Sequence, residues 1–299
     1  MKKHLLKTLF VCLFTLVGTT AFAQQVEIDS IYYNLDDSTL TASVTYGNEK
    51  YSGAVHIPEE IVFYGTTYSV TSIGWAAFNY CSGLTEVAIP NSVTSIDNSA
   101  FSDCRGLTKL TIPDGVTSIG YGAFDGCSGL TELTIGNSVT TIGDNAFRGC
   151  SGLTEVTIPN SVTSISGWAF YNSRSLIKLT IGSSVTSIGR EAFPYCYNLI
   201  SVTSLNPTPP AIFPDTFAGS HDATLHVPAG CKEAYQAGSW AGFLNILEDA
   251  VDGIAPVVAG QQPTTDAIYT LDGVKLNATS LQDLPSGIYI VNGKKYVVK

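Results

Sequence analysis

The sequence predicts a β-rich repeat solenoid built on a parallel sheet, with short helical or 3₁₀ turns, a cap at each end and a small all-β module at the C-terminus. Three observations carry that expectation. Ile73, Ile96, Ile119, Ile142, Ile165 and Ile188 recur every 23 residues without a slip. Phe78, Phe101, Phe124, Phe147, Phe170 and Phe193 keep the same step, as do Leu84, Leu107, Leu130, Leu153, Leu176 and Leu199. A fixed period of this kind means that each unit buries its apolar face only against its neighbours, so the coils stack along one axis.

Residues 1–23 read as a signal peptide. Lys2, Lys3 and Lys7 give a basic start, Leu9 to Val17 an apolar run, and Ala21-Phe22-Ala23 a small-x-small cleavage pattern. Lipidation at Cys12 is disfavoured, because Val11 stands where a small residue would be needed. The run is too short for a membrane span, and no later stretch approaches the roughly 20 residues that one requires. The mature chain is expected to start at Gln24 and to be exported, to the cell surface or medium, with the periplasm as the alternative.

Formal net charge is −10, and removing the leader takes away three lysines and no acids, leaving about −13. A chain this acidic gains nothing from counterion release on a phosphate backbone and is repelled by anionic membrane surfaces. Nucleic acid is therefore excluded as a partner class.

Residues 24–72 lie outside the 23-residue phase but anticipate it. Val55-His56-Ile57-Pro58 resembles Val87-Ala88-Ile89-Pro90, and Leu40 to Tyr46 alternates as a strand, with Gly47-Asn48 offering a turn into Lys50-Tyr51. This stretch is expected to cap the first coil, which would otherwise expose its core and an open edge. Residues 73–204 then hold the six repeats. In each, Leu84-Thr85-Glu86-Val87-Ala88-Ile89 or its equivalent predicts a strand, Pro90-Asn91-Ser92 a turn, and Val93-Thr94-Ser95-Ile96 a second extended piece. Asp97 to Cys104 predicts one helical or 3₁₀ turn.

Past Leu199 the pattern fails: Ser204 stands where Ile belongs, and Pro207-Thr208-Pro209-Pro210 follows. Residues 205–249 are expected to form the second cap, sealed by Tyr235, Trp240 and Phe243. Residues 250–262 have the composition of a linker. In 263–299, Asp272-Gly273 and Asn292-Gly293 each sit between two alternating runs, the strongest local signal for a hairpin.

Cys81, Cys104, Cys127, Cys150 and Cys196 occupy one repeat position, with Ser173 in the gap. Equivalent side chains on adjacent coils point in parallel, whereas a disulfide needs them directed at each other. A ladder of buried free thiols is expected. No Cys-x-x-Cys pair supports zinc, and His221, His226 and Asp222 read as a solvated loop. Glu132 and Glu155 recur on adjacent coils, but repeat phasing explains their spacing without a glycosidase pocket. No catalytic residue, cofactor or metal ligand is predicted.

Two sets of outward positions remain as ligand-binding candidates. One is a polar stripe on the strands: Glu86, Lys109, Glu132, Glu155 and Lys178, beside Thr111, Thr134, Thr157 and Thr180. Threonine also simply suits an exposed strand. The other is aromatic: Trp75, Tyr121, Trp168 and Tyr171 fall where the repeat does not demand them, and exposed aromatics favour recognition of proteins or sugars.

The unit L-T-x-[VL]-x-I-P-x-S-V-T-S-I-G-x-x-A-F-x-x-C resembles the BspA-like leucine-rich repeats of Bacteroidetes over residues 55–249. The resemblance implies a curved solenoid with the strands on one side and the Phe-bearing turn on the other. It also implies a non-enzymatic, adhesin-like surface scaffold that binds a host matrix or bacterial surface protein as a monomer. A carbohydrate-binding accessory protein using the exposed aromatics is the alternative. Ile268 to Gly273, Gly287 to Val291 and the terminal Lys299 resemble the sorting domains of type IX secretion.

Overall fold

The computed structural model describes residues 24–249 and, beyond them, the strands 254–256, 268–270, 275–276, 287–291 and 294–298; the expected signal peptide lies outside the described residues. Each coil contributes two extended pieces and one turn corner. The shorter return pieces Ser95–Ile96, Ser118–Ile119, Thr141–Ile142, Ser164–Ile165 and Ser187–Ile188 pair in parallel, Ile against Ile. Thr94, Thr117, Thr140, Thr163 and Thr186 each donate Oγ1–H to the threonine carbonyl one coil earlier, at 3.1–3.2 Å. These bonds tie the threonine column to the backbone.

The longer strands do not run as one ladder. Leu84–Ala88 pairs with Gly53–His56, and Lys109–Ile112 pairs with Glu132–Ile135. A separate five-stranded ladder runs from Glu155–Thr157 through Lys178–Ile181, Ser201–Ser204 and Thr224–Pro228 to Asn245–Asp249.

The corner is not the helical or 3₁₀ turn that the sequence suggested. Its backbone N–H groups alternate: Ala100, Ser102 and Cys104 bond three residues back within the coil, while Ser99, Phe101 and Asp103 bond carbonyls of the following coil. Left-handed residues at two positions per coil produce the alternation, Ser99 (φ 55°) and Asp103 (φ 59°) in the second coil. A helix would have kept all these bonds internal. The corner instead adds a third hydrogen-bonded seam between coils.

Seven phenylalanines stack through the core, the six of the repeat and Phe217, with ring centroids 4.7–5.2 Å apart and planes within 12°. The thiol ladder lies beside them. Among the described residues every cysteine is free, and Cys104, Cys127, Cys150 and Cys196 donate S–H to the carbonyls of Phe78, Phe101, Phe124 and Phe170 at 3.1–3.8 Å. Burial pushes the Cys81 thiol up to about 11 and the Cys196 thiol up to about 12. Such thiols carry almost no thiolate at neutral pH. Half-buried Cys231 should therefore alkylate first in the native chain, and the ladder cysteines only after denaturation; mass spectrometry of timed samples checks this.

Ser173 breaks the ladder at a cost. It is fully buried and its Oγ has no hydrogen-bond partner among the described residues. An unpaired buried hydroxyl costs about 1–3 kcal/mol. Ser173→Cys should accordingly raise stability by about 1–2 kcal/mol in urea denaturation.

Both ends of the stack are closed by aromatic rings. At the N-terminal end Gln24–Ile28, Ile31–Asp36 and Thr41–Thr45 form an antiparallel meander that joins Thr66–Ile73 in parallel. The chain after Gly47-Asn48 makes no hairpin; it crosses to the other ladder, and Tyr51 lies on Phe78 at 4.6 Å. At the other end Trp240 and Phe243 cover Phe217, with centroids 5.3 and 5.2 Å away. The irregular Ser204 has a specific use there: its Oγ lies 2.7 Å from the Tyr235 hydroxyl, which donates to the Asn206 carbonyl at 2.6 Å. An isoleucine would remove one of the two hydrogen bonds of that buried phenol.

The terminal module forms both hairpins. Val291 pairs with Lys294, the antiparallel register that a two-residue Asn292-Gly293 connection gives, whereas Ile268 pairs with Leu276 and Tyr269 with Lys275, one residue out of the register of a two-residue Asp272-Gly273 connection. Ile254–Pro256, inside the stretch read as linker, adds in parallel to Lys294–Val298 as an edge strand.

Candidate functional site

The strand stripe is exposed but divided. Lys109 aligns with Glu132 and forms an ion pair at 3.0 Å, Thr111 aligns with Thr134, and both pairs belong to the isolated two-stranded ladder. Glu155 aligns with Lys178 and Thr157 with half-buried Thr180 in the next ladder, while Glu86 lies on a third. Glu132 and Glu155 are thus not ladder partners. An ion pair this exposed contributes at most about 1 kcal/mol. The stripe is alternating charge and threonine, close to neutral along its length.

The aromatic candidates separate into two places. Trp75 is 64% exposed and packs edge-on against Tyr46 of the N-terminal segment. Tyr121 is exposed and touches no other aromatic ring among the described residues. Trp168 and Tyr171 come together on the corner of the fifth coil, where they line one cleft with Asn145, Arg148 and Glu191. A second cleft shares Tyr171 and adds Asn172, Arg174, Tyr195 and Tyr197. The clefts measure about 370 and 300 Å³. Tyr171 is half-buried because the Arg148 guanidinium lies 5.5 Å over its ring and Tyr195 meets it at 5.3 Å and 83°.

Sequence reading missed Tyr195, Tyr197, Ile177 and Ile200, all exposed. The signal was available in the repeat itself, which supplies its own controls. Tyr195 stands where Asp103, Gly126, Gly149 and Asn172 occur, and Tyr197 where Arg105, Ser128, Ser151 and Arg174 occur. Ile177 and Ile200 replace Thr85, Thr108, Thr131 and Thr154. The same coil fold is therefore made without these apolar groups. Between Cys81 and Gly167 the one large exposed apolar residue among those described is Tyr121.

Backbone strain marks the same corner. Trp168 (φ 54°), Glu191 (φ 48°) and Tyr195 (φ 59°) hold left-handed conformations where the second, third and fourth coils place Ser, Gly, Asn or Asp. The left-handed region costs a residue with a Cβ about 1–2 kcal/mol, and strain of this kind gathers at functional sites. Tyr80, the equivalent of Tyr195 in the first coil, has φ 59°. Tyr80→Gly should raise stability by about 1 kcal/mol, read from the urea midpoint.

All four arginines of the chain, Arg105, Arg148, Arg174 and Arg190, lie on the corners. Arg105 bonds Asp103 at 2.9 Å, Arg148 faces Asp125 at 3.8 Å and Arg190 faces Asp215 at 3.1 Å. Burial raises the Asp125 carboxyl pKa, while the Arg148 guanidinium opposes that rise. Arg174 donates to Asn172 and has no acidic partner among the described residues. Trp, Tyr and Arg are the side chains that dominate binding energy at protein interfaces. No group of three or more His, Cys, Asp or Glu able to hold a metal occurs among the described residues.

A family model described as the BspA type leucine rich repeat region matches residues 71–200 and 117–235, together more than half of the chain. The chain belongs to the BspA-type leucine-rich repeat family. Several solved structures are similar to this BspA-type chain. A leucine-rich repeat protein from Bacteroides ovatus ATCC 8483 is 21% identical over 75% of this chain and 76% of its own, with a TM-score of 0.42. The leucine-rich repeat protein of T. pallidum is 22% identical over 75% and 84%, with a TM-score of 0.45. A leucine-rich cell surface protein from Faecalibacterium prausnitzii A2-165 is 20% identical over 76% and 95%, with a TM-score of 0.28. At such values the likeness says nothing of function. No curated protein matches the sequence. Among the described residues no helix of this BspA-type chain is long and apolar enough to cross a membrane.

Proposed function

We propose that the protein is an exported, adhesin-like scaffold that binds a host matrix or bacterial surface protein through the corners of its fifth and sixth coils. One observation carries this reading: Trp168, Tyr171, Tyr195 and Tyr197 gather beside Arg148 and Arg174, at positions where the second, third and fourth coils carry no aromatic side chain. The strand stripe serves solubility in this reading, since charge-paired threonine strands offer little to desolvate. The leader at 1–23 exports the chain, and the terminal module acts as the sorting signal that places it on the surface.

Capture of matrix and bacterial surface proteins on the immobilised full chain tests the reading. Tyr197→Ala with Arg174→Ala should reduce capture of the retained partner by about tenfold or more. Lys109→Ala with Thr134→Ala should leave it unchanged. Capture that follows the strand variants and ignores the corner variants would transfer the site to the stripe. Surface proteolysis of cells expressing the chain with and without residues 263–299 tests the sorting role.

A further inference from the structure

The hydrogen-bonding inventory of the corner narrows the ligand. Two of its side-chain acceptor atoms are already engaged within the protein. The Glu191 carboxylate accepts from Trp168 Nε1 at 3.2 Å, and Asn172 Oδ1 accepts from Arg174 Nε at 2.6 Å. Its donors are not: the hydroxyls of Tyr171, Tyr195 and Tyr197 have no partner among the described residues, and Arg174 keeps its outer N–H groups. Charge does not set the preference, because Arg148 and Arg190 face Asp125 and Asp215, and the formal charge of Arg174 is offset by Glu191 on the same corner. The surface therefore suits a neutral ligand rich in acceptors and poor in donors.

Ring geometry adds a second constraint. Tyr171 and Tyr195 meet at 83°, and Tyr195 and Tyr197 at 56°, so the rings stand as ridges with a cleft on each side of Tyr171. A sugar stacks on a flat exposed ring face and brings as many hydroxyl donors as acceptors. A proline-rich segment matches better on both counts. Proline has no N–H, its carbonyls stay free in the extended polyproline II helix, and its ring is a compact apolar wedge. Grooves lined by aromatic side chains take such segments because they arrive already ordered.

We infer that the two clefts flanking Tyr171 bind a proline-rich segment in the polyproline II conformation, its rings seated between the tyrosine ridges and its carbonyls accepting from the tyrosine hydroxyls and Arg174. The inference rests on the corner being the binding surface and names what that surface takes. It also accounts for the left-handed Trp168 and Tyr195, which place large rings where a glycine would give the more relaxed coil.

Isothermal titration of the full chain with a polyproline decapeptide, a Gly-Ser decapeptide and a panel of neutral oligosaccharides tests it. The polyproline peptide should bind at least about tenfold tighter than the Gly-Ser peptide. Trp168→Gly with Tyr195→Gly should weaken it by about tenfold or more. Both positions are left-handed, so glycine keeps the coil, and a thermal midpoint equal to or above that of the parent excludes unfolding as the cause. Tyr197→Ala, at a position without that backbone constraint, should weaken binding independently. Equal affinity for the two peptides, or corner-dependent binding of an oligosaccharide alone, would overturn the inference. If polyproline fails while a captured protein still requires Tyr197 and Arg174, the inference falls and the scaffold reading stands; if neither depends on the corner, both fall.

Discussion

Phe147→Ala is expected to lower stability by about 3–5 kcal/mol, the range for deleting a fully buried ring that the surroundings cannot refill. Phe147 lies at the middle of the stack, with neighbouring rings 5.2 and 5.1 Å away on its two faces and nothing of it exposed. Collapse into the space is blocked on both sides by backbone, since Phe147 N–H bonds the Ala169 carbonyl at 2.8 Å and Phe124 N–H bonds Ala146. In a nearest-neighbour array a central lesion also splits the chain into two shorter stacks. Urea denaturation should therefore show a lower midpoint and a broader or two-step transition. A loss below 1 kcal/mol with unchanged cooperativity would mean that the stacked rings are not what holds adjacent coils together.

Trp240→Ala is expected to cost a similar amount, about 3–5 kcal/mol, but with a different spatial pattern. Trp240 is 1% exposed, covers Phe217, meets Tyr235 edge-on at 5.5 Å and donates its Nε1–H to the Pro210 carbonyl at 2.8 Å. Removing it opens the end of the core and leaves a buried carbonyl unpaired. The coils nearest the lesion should fray first, because a solenoid transmits stability only between neighbours. Hydrogen exchange by mass spectrometry should quicken over residues 188–249 and hardly change over 73–140.

The core was legible in the sequence because burial in a solenoid is periodic. Once Ile73, Phe78 and Leu84 fix the phase, every later inward residue follows by counting, and the thiol ladder follows from the same count. The corner geometry was not legible in this way. Asp97 to Cys104 has apolar residues at helical spacing, but Ser99 and Asp103 are left-handed, and the bonds that hold them there go to the next coil. Local periodicity carries no information about a partner 23 residues away. The broken strand ladder escaped for the same reason. Ser204 was visible as a failure of the pattern, whereas its cause, the Tyr235 hydroxyl, is 31 residues downstream.

The candidate surface was half legible. Trp168 and Tyr171 are conspicuous as bulky residues at variable positions, yet Tyr195 and Tyr197 satisfy the same test. Tyr195 and Tyr197 flank Cys196, whose place in the ladder drew the reading inward. Comparing each position with its equivalents, and not with the consensus, identifies all four. Trp75 and Tyr121 pass the sequence test equally, and only the fold shows that they lie away from the clefts.

The most direct measurement is hydrogen exchange of the full chain with and without its captured protein partner. Binding at the fifth and sixth corners should slow exchange over residues 168–200, with no change over 109–134. Protection confined to 109–134, with 168–200 exchanging as in the free chain, would place recognition on the strand stripe and contradict the assignment of the site.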